Sequence, residues 1–182
     1  CIRDRFCDSG NDDYTTPENY DIKDGDDFGG FYTYDEMISE IDDMYTQYPT
    51  LISQRTDLKD NNYNETPHIH ETYEGRFLQM VKISDNPNVD EDEPQILYTA
   101  LHHAREPGSM QQLIFFMWYL LENYDSNDSI KQIIDNSELY FVPCVNPDGY
   151  IYNETSEPSG GGMWRKNRRD NPVSYTHLTL PT

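Results

Sequence analysis

Apolar and polar positions follow two rhythms along this chain. Behind Thr33-Tyr34-Asp35-Glu36, apolar residues recur at Met37, Ile38, Ile41, Met44, Tyr45 and Tyr48, the spacing of one helix face. Thr33 and Glu36 form a capping box, each satisfying a free backbone N–H of the other. Pro49 stops the pattern, so a helix is expected over 34–48. Residues 51–55 suit a short edge strand and 77–83 a longer one, followed by a turn at 85–88 and a solvated acidic tip at 90–93. The apolar run Ile96, Leu97, Tyr98, Ala100, Leu101 predicts a buried strand. Met110, Leu113, Ile114, Met117, Leu120, Leu121 and Tyr124 then mark a helix over 109–124, with Phe115, Phe116 and Trp118 covering much of its other face. Ser126-Asn127-Asp128 caps a shorter helix carrying Ile130, Ile133 and Ile134, and Glu138 to Val145 is a strand. Pro143 suggests a bend or an edge position for that strand. Asn146-Pro147-Asp148-Gly149 reads as a turn, and 153–162 as a loop ending in three glycines. The strand-helix-helix-strand run from 95 to 145 fits an α/β sheet.

The chemistry gathers where the run at 95–101 breaks off into His102, His103, Arg105 and Glu106. Open α/β sheets hold ligands at the carboxyl ends of their strands. Imidazole nitrogen and carboxylate oxygen both suit Zn²⁺, so His103 and Glu106 are a candidate pair, although a catalytic zinc takes three protein groups and a water. The bland reading is a loop histidine bonded to backbone. His102 competes with His103, because consecutive strand residues face opposite ways and only one can meet a shared metal. A helix starting just past Glu106 turns its positive end toward this loop. Arg165, Lys166, Arg168 and Arg169 form the one dense basic cluster, a local place for negative charge or simply a basic loop. His68 and His70 alternate as on one face of a strand, but without a third donor they read as part of a polar surface loop over 58–71. Asp148 has the chemistry of a catalytic carboxylate, and its turn-forming role is the better reading.

Charge narrows the partners. With 34 acidic and 13 basic residues the net charge is −21, which makes nucleic acid and anionic membrane surfaces poor partners. Fifteen tyrosines give the chain enough aromatic mass to pack. Residues 1–32 are acidic and aperiodic and read as an extension; Asp24, Asp26 and Asp27 have calcium-ligand chemistry, and a solvated charge run accounts for them. The three cysteines lack a Cys-x-x-Cys spacing. Cys1 and Cys7 are candidates for a small disulfide loop in an exported protein, and Cys144, inside an apolar run, for a buried free thiol. No stretch reaches the roughly 18 apolar residues of a membrane helix. The chain lacks an initiating Met and a visible signal peptide, as expected of a sequence that begins mid-gene or after processing. Asn64, Asn127 and Asn153 open Asn-x-Ser/Thr triplets, which arise by chance and establish no glycosylation.

Leu101-His102-His103-Ala104-Arg105-Glu106-Pro107 resembles the His-x-Arg-Glu signature of the zinc carboxypeptidases. Glu74-Gly75-Arg76, Asn146-Pro147-Asp148-Gly149 and Trp164-Arg165-Lys166-Asn167-Arg168 resemble further family segments in the family's order, over residues 33–171. The resemblance implies an α/β fold, a mixed sheet flanked by helices, of which this chain holds roughly the first half. It implies His103 and Glu106 as zinc ligands, Arg105 as a substrate-cleft arginine, and Arg165 as a substrate-binding and catalytic arginine that polarises the scissile carbonyl. The activity it implies is zinc-dependent release of amino acids from peptide C-termini, by a monomer that is secreted or extracytoplasmic. In the family a third ligand (a His), an Asn-Arg pair, a Tyr, a general-base Glu and an Asp that orients the first ligand all lie further downstream. A polypeptide with two ligands of three is expected to be inactive and to bind zinc poorly. Residues 172–182 resemble the translation of a transposon-derived sequencing adapter, which would leave His177 outside the site. Two other readings stay open: a zinc deacylase of small N-acyl amino acids, and a carboxypeptidase-like binding module without catalysis.

Overall fold

The structure, a computed structural model, describes residues 15–23, 28–58 and 71–170. Cys1, Cys7, Asp24, Asp26, Asp27, His68, His70, His177 and the segment 172–182 lie outside the described residues. Among the described residues there are four α-helices, α1 (Tyr34–Gln47), α2 (Gly108–Asn123), α3 (Asp128–Ile134) and α4 (Pro147–Ser156), and one 3-10 turn at Phe28–Gly30. The strands are β1 (Thr56–Asp57), β2 (Gln79–Ile83), β3 (Gln95–Thr99) and β4 (Glu138–Val142), ordered β1-β2-β4-β3. β1 and β2 pair antiparallel, as do β2 and β4, whereas β3 and β4 run parallel. The sheet is therefore mixed, as expected. Parallel neighbours cannot be joined by a hairpin, and α2 with α3 supplies the crossover between β3 and β4.

The capping box is present: Thr33 Oγ1 accepts from the Glu36 N–H at 3.2 Å and Glu36 Oε2 from the Thr33 N–H at 2.7 Å. It starts α1 with Met37, Ile41 and Met44 facing the core. They pack with Met110, Ile114, Met117 and Leu121 of α2, and with Val81, Ile83, Leu139 and Phe141 of the sheet. Trp118 is buried in the same layer, and its Nε1 donates to Glu40 Oε2 at 2.7 Å. Cys144 is a buried free thiol whose pKa burial pushes up, which leaves it unreactive.

Several expectations need correction. β3 was expected to be buried, but among the described residues it pairs with β4 alone, and its Ile96 and Leu97 are 40% and 63% exposed. Of the two positions expected for Pro143 the bend holds and the edge does not: among the described residues β4 lies between β2 and β3, and Pro143 bends the chain one residue beyond the last pair, Thr99 with Val142, where its missing N–H interrupts no ladder bond. At 51–55 only Ile52 pairs, in an isolated bridge with Ile83. Asn146-Pro147-Asp148-Gly149 opens α4 rather than a simple turn. Asn146 Oδ1 accepts from the Gly149 N–H at 3.1 Å, and Pro147 sits in the first turn, where no N–H is needed. The helix runs to Ser156 and shortens the expected loop.

The acidic tip is less solvated than its composition suggests. Glu138, with no exposed surface, takes hydrogen bonds from Lys82 Nζ at 2.7 Å, Gln95 Nε2 at 2.8 Å, the Glu91 N–H at 3.1 Å and Tyr140 O–H at 3.0 Å. Lys82 Nζ also donates to the Val89 carbonyl. This network ties the 89–91 segment to the amino ends of β3 and β4. Nearby, carboxylate oxygens of Asp85, Glu91 and Glu93 lie within 4.8 Å of one another. Burial, then the Glu91 and Asp85 charges, raise the Glu93 pKa.

Candidate active site

Because β3 and β4 are parallel, both bring their carboxyl ends to the same end of the sheet. Beyond β3 the chain stays tied to β4's continuation: the Ala100 N–H donates to the Val142 carbonyl at 3.2 Å, and the Asn146 N–H to the Leu101 carbonyl at 3.1 Å. Buried Leu101 then adopts φ 51°, a left-handed conformation uncommon for a side chain of this size. Its N–H is held by Ser109 Oγ at 3.0 Å. Two ties and a buried side chain thus fix the strained residue immediately before the two histidines.

The turn that follows is tight. The Glu106 N–H donates to the His103 carbonyl at 3.0 Å, folding the third residue back toward the first. Arg165 arrives from a distant part of the chain and places Nε 3.4 Å from Glu106 Oε1. Its backbone is locked to the same turn, since the Ala104 N–H donates to the Arg165 carbonyl at 3.0 Å. A cleft of about 860 Å³ opens here, lined by His102, His103 and Arg165 together with Asn146, Asp148 and Tyr73. Glu106 and Arg105 are exposed and are not among its lining residues. His103 and Arg165 thus line one cleft and Arg165 meets Glu106 in the turn beside it, while Arg105, like Glu106, is exposed and outside the cleft lining. α2 begins two residues past Glu106 with no side-chain cap, so its free N–H groups keep their positive end on this loop.

Asp148 does more than shape a turn. Only 2% exposed, it accepts from Thr72 Oγ1 at 2.7 Å, the Glu74 N–H at 3.0 Å and Arg76 Nη1 at 2.7 Å. It thereby fastens the 72–76 turn as a wall of the cleft. Glu74 in turn receives Arg168 Nε at 3.2 Å, and the Arg168 guanidinium lies 3.8 Å over the Tyr152 ring and 4.4 Å over Trp164. The basic cluster is thus divided: Arg168 braces the wall, and Arg165 faces Glu106. None of this bracing was visible in the sequence, where Thr72 and Arg76 carried no signal beyond their place beside Glu74-Gly75. Asn146-Pro147 did carry one, as a capping residue before a first-turn proline.

The donors present suit zinc in kind. Neutral imidazole and carboxylate are two of the groups found in hydrolytic zinc sites, and one short turn carries both. Among the described residues no third His, Cys, Asp or Glu gathers with them at metal-ligand spacing.

A family model described as zinc carboxypeptidase matches residues 52–177. The zinc carboxypeptidase of Saccharothrix mutabilis subsp. capreolus is 32% identical over 164 residues, which cover 89% of this chain and 34% of the relative. Metallocarboxypeptidase A of Trichophyton tonsurans is 29% identical over 145 residues, 80% of this chain and 30% of that protein. The chain thus spans about a third of the length of the curated relatives it matches. Among solved structures, thrombin activatable fibrinolysis inhibitor superposes with a TM-score of 0.61 at 22% identity, over 79% of this chain and 31% of the other. Carboxypeptidase A from Helicoverpa armigera does so with a TM-score of 0.60 at 22% identity, over 81% and 31%. Identities this low show a shared fold alone.

Proposed function

The chain belongs to the zinc carboxypeptidase family, and from that premise we propose that the protein carrying it is a zinc-dependent metallocarboxypeptidase that releases C-terminal amino acids from peptides. The observation that carries this reading is that Arg165, 59 positions beyond Glu106 and 62 beyond His103, pairs with the carboxylate of Glu106 and lines one cleft with His103, the two ends of a single hydrogen-bonded turn. His103 and Glu106 would hold the metal. Bound zinc supplies a water of pKa about 7 and polarises a carbonyl. Arg165 directs a fixed positive charge at the position where a carbonyl oxygen becomes an oxyanion, a contribution often worth about 3 kcal/mol. The 72–76 turn, held by Asp148, keeps one side of the cleft in place while substrate enters. Arg105 serves substrate from the rim in this proposal. In this reading the third ligand and the general base lie further downstream, as the resemblance implies, and the 182-residue chain by itself is proposed to be inactive and to bind zinc weakly. The acidic segment 1–32, the carboxypeptidase portion 33–171 and a non-native 172–182 remain the proposed division of the chain. Export and a monomeric state are parts of the same proposal; among the described residues no helix is long and apolar enough to cross a membrane.

The test uses full-length, zinc-loaded protein and an N-acylated dipeptide with either a free or an amidated C-terminus. Hydrolysis of the free acid alone is expected, and Arg165→Ala should lower kcat by about 10²–10³. Turnover of N-acyl amino acids with no peptide cleavage would favour the deacylase. No turnover of either, with zinc bound, would favour a binding module.

A further inference from the structure

Arg165 acts only if its backbone is held at a fixed place relative to Glu106. We propose that Asn153 is a positioning residue that helps to hold it, an inference resting on the role proposed above for Arg165. Asn153 lies on α4 and is 3% exposed. Its Nδ2 donates to the Ala104 carbonyl at 3.0 Å and to the Trp164 carbonyl at 2.8 Å. Its Oδ1 accepts from the Trp164 N–H at 2.9 Å. One buried amide therefore binds the residue after His103 and both backbone groups of the residue before Arg165. With the Ala104 to Arg165 backbone bond and the Asn146 amide, whose Nδ2 donates to the His102 carbonyl at 3.3 Å and the Arg165 carbonyl at 3.5 Å, the two segments are joined at three points.

The amide cannot work the other way round. Turned by a half rotation, it would set an N–H against the Trp164 N–H and an oxygen against two carbonyls. A side chain lacking either function loses part of the clamp: aspartate has no donor for the two carbonyls, and alanine leaves all three backbone groups without this partner. The approach also explains a glycine. A Cβ at Gly162 would lie 2.6 Å from Asn153 Cβ and 2.7 Å from its Oδ1, so any other residue there displaces the amide. Asn153 is not among the residues lining the cleft. Its influence on chemistry passes through Ala104 and Trp164, and a shift of about 1 Å in a positioned group is enough to cost on the order of 10²-fold in rate.

Full-length, zinc-loaded wild type, Asn153→Ala, Arg165→Ala and the double variant are compared for kcat, KM and bound zinc on the free-acid dipeptide. Asn153→Ala is expected to lower kcat about 10–100-fold with zinc content unchanged. In the Arg165→Ala background the same change should lower kcat less than about twofold, because the group it positions is gone. Equal losses in both backgrounds would overturn the inference, since a general structural defect multiplies. Gly162→Ala, which keeps the amide but displaces it, should show the same dependence on Arg165 and decides the matter if Asn153→Ala does not fold. If zinc-loaded wild type cleaves no peptide, the peptidase reading fails separately. The four proteins are then compared for inorganic phosphate affinity, and the same coupling between residues 153 and 165 is expected; its absence overturns the inference.

Discussion

Removing the ammonium of Lys82 isolates a buried carboxylate, and the consequence can be worked out. In Lys82→Met, Glu138 keeps Gln95 Nε2, the Glu91 N–H and Tyr140 O–H but loses the one donor that neutralises it. Breaking a buried ion pair from one side costs about 3–5 kcal/mol. The three surviving donors place this case at the lower end, about 3 kcal/mol. The pH dependence carries the diagnosis. The Lys82 ammonium holds the Glu138 pKa down to about 2 from its ordinary 4.5. A carboxyl depressed in the folded state contributes stability that is complete above the unfolded pKa and lost as pH falls through the folded one. The deficit of Lys82→Met should therefore be widest above pH 4.5 and shrink below it. Urea titrations of full-length protein near pH 7, about 5 and about 3.5 measure it. A deficit under about 1 kcal/mol near pH 7, or one unchanged near pH 3.5, would refute the argument. Lys82→Met with Glu138→Gln should recover most of the loss, because no unpaired charge is left behind.

Glu154 should act in the opposite sense. Burial pushes its pKa up to about 7, against the lowering effect of the Tyr34 N–H it accepts at 2.6 Å. The folded protein then binds more protons than the unfolded chain between pH 4.5 and 7, so stability falls as pH rises through that window. Glu154→Gln keeps the acceptor and should remove the slope; parallel urea titrations at about pH 5 and 8 that fall equally would count against it. For the metal, His103→Ala and Glu106→Ala in the full-length protein should each weaken zinc binding more than about 100-fold by calorimetry, since outer-shell changes alone reach 10–100-fold. His102→Ala should change it far less, and a reversal of that order would reassign the ligand.

The sequence disclosed elements through their periodicity and chemistry through local clusters. α1 was legible because Thr33, Glu36 and the Met37–Ile41–Met44 spacing all act within a few residues. His103 and Glu106 share one turn, so their pairing was local too. Which strand lies inside the sheet was not legible. An apolar run looks the same whether or not a neighbour covers it, and among the described residues β3, expected to be buried, lies at the edge of the sheet. Arg165 meets Glu106 across 59 residues, a contact that only the resemblance anticipated. Asn153 and Asp148 were missed as braces because a buried polar side chain is identified by the distant backbone groups it satisfies, and these leave no periodic trace.

The nitrogen of Asn153 that reaches the Ala104 and Trp164 carbonyls is also the atom to which an oligosaccharide would be attached in the triplet Asn153-Glu154-Thr155. Once the chain has folded, no transferase can reach it. Sugar added during synthesis in a eukaryotic secretory host would occupy the nitrogen permanently and bar the segment from closing. Production in such a host becomes a race between glycosylation and folding, one that a bacterial cytoplasm does not run.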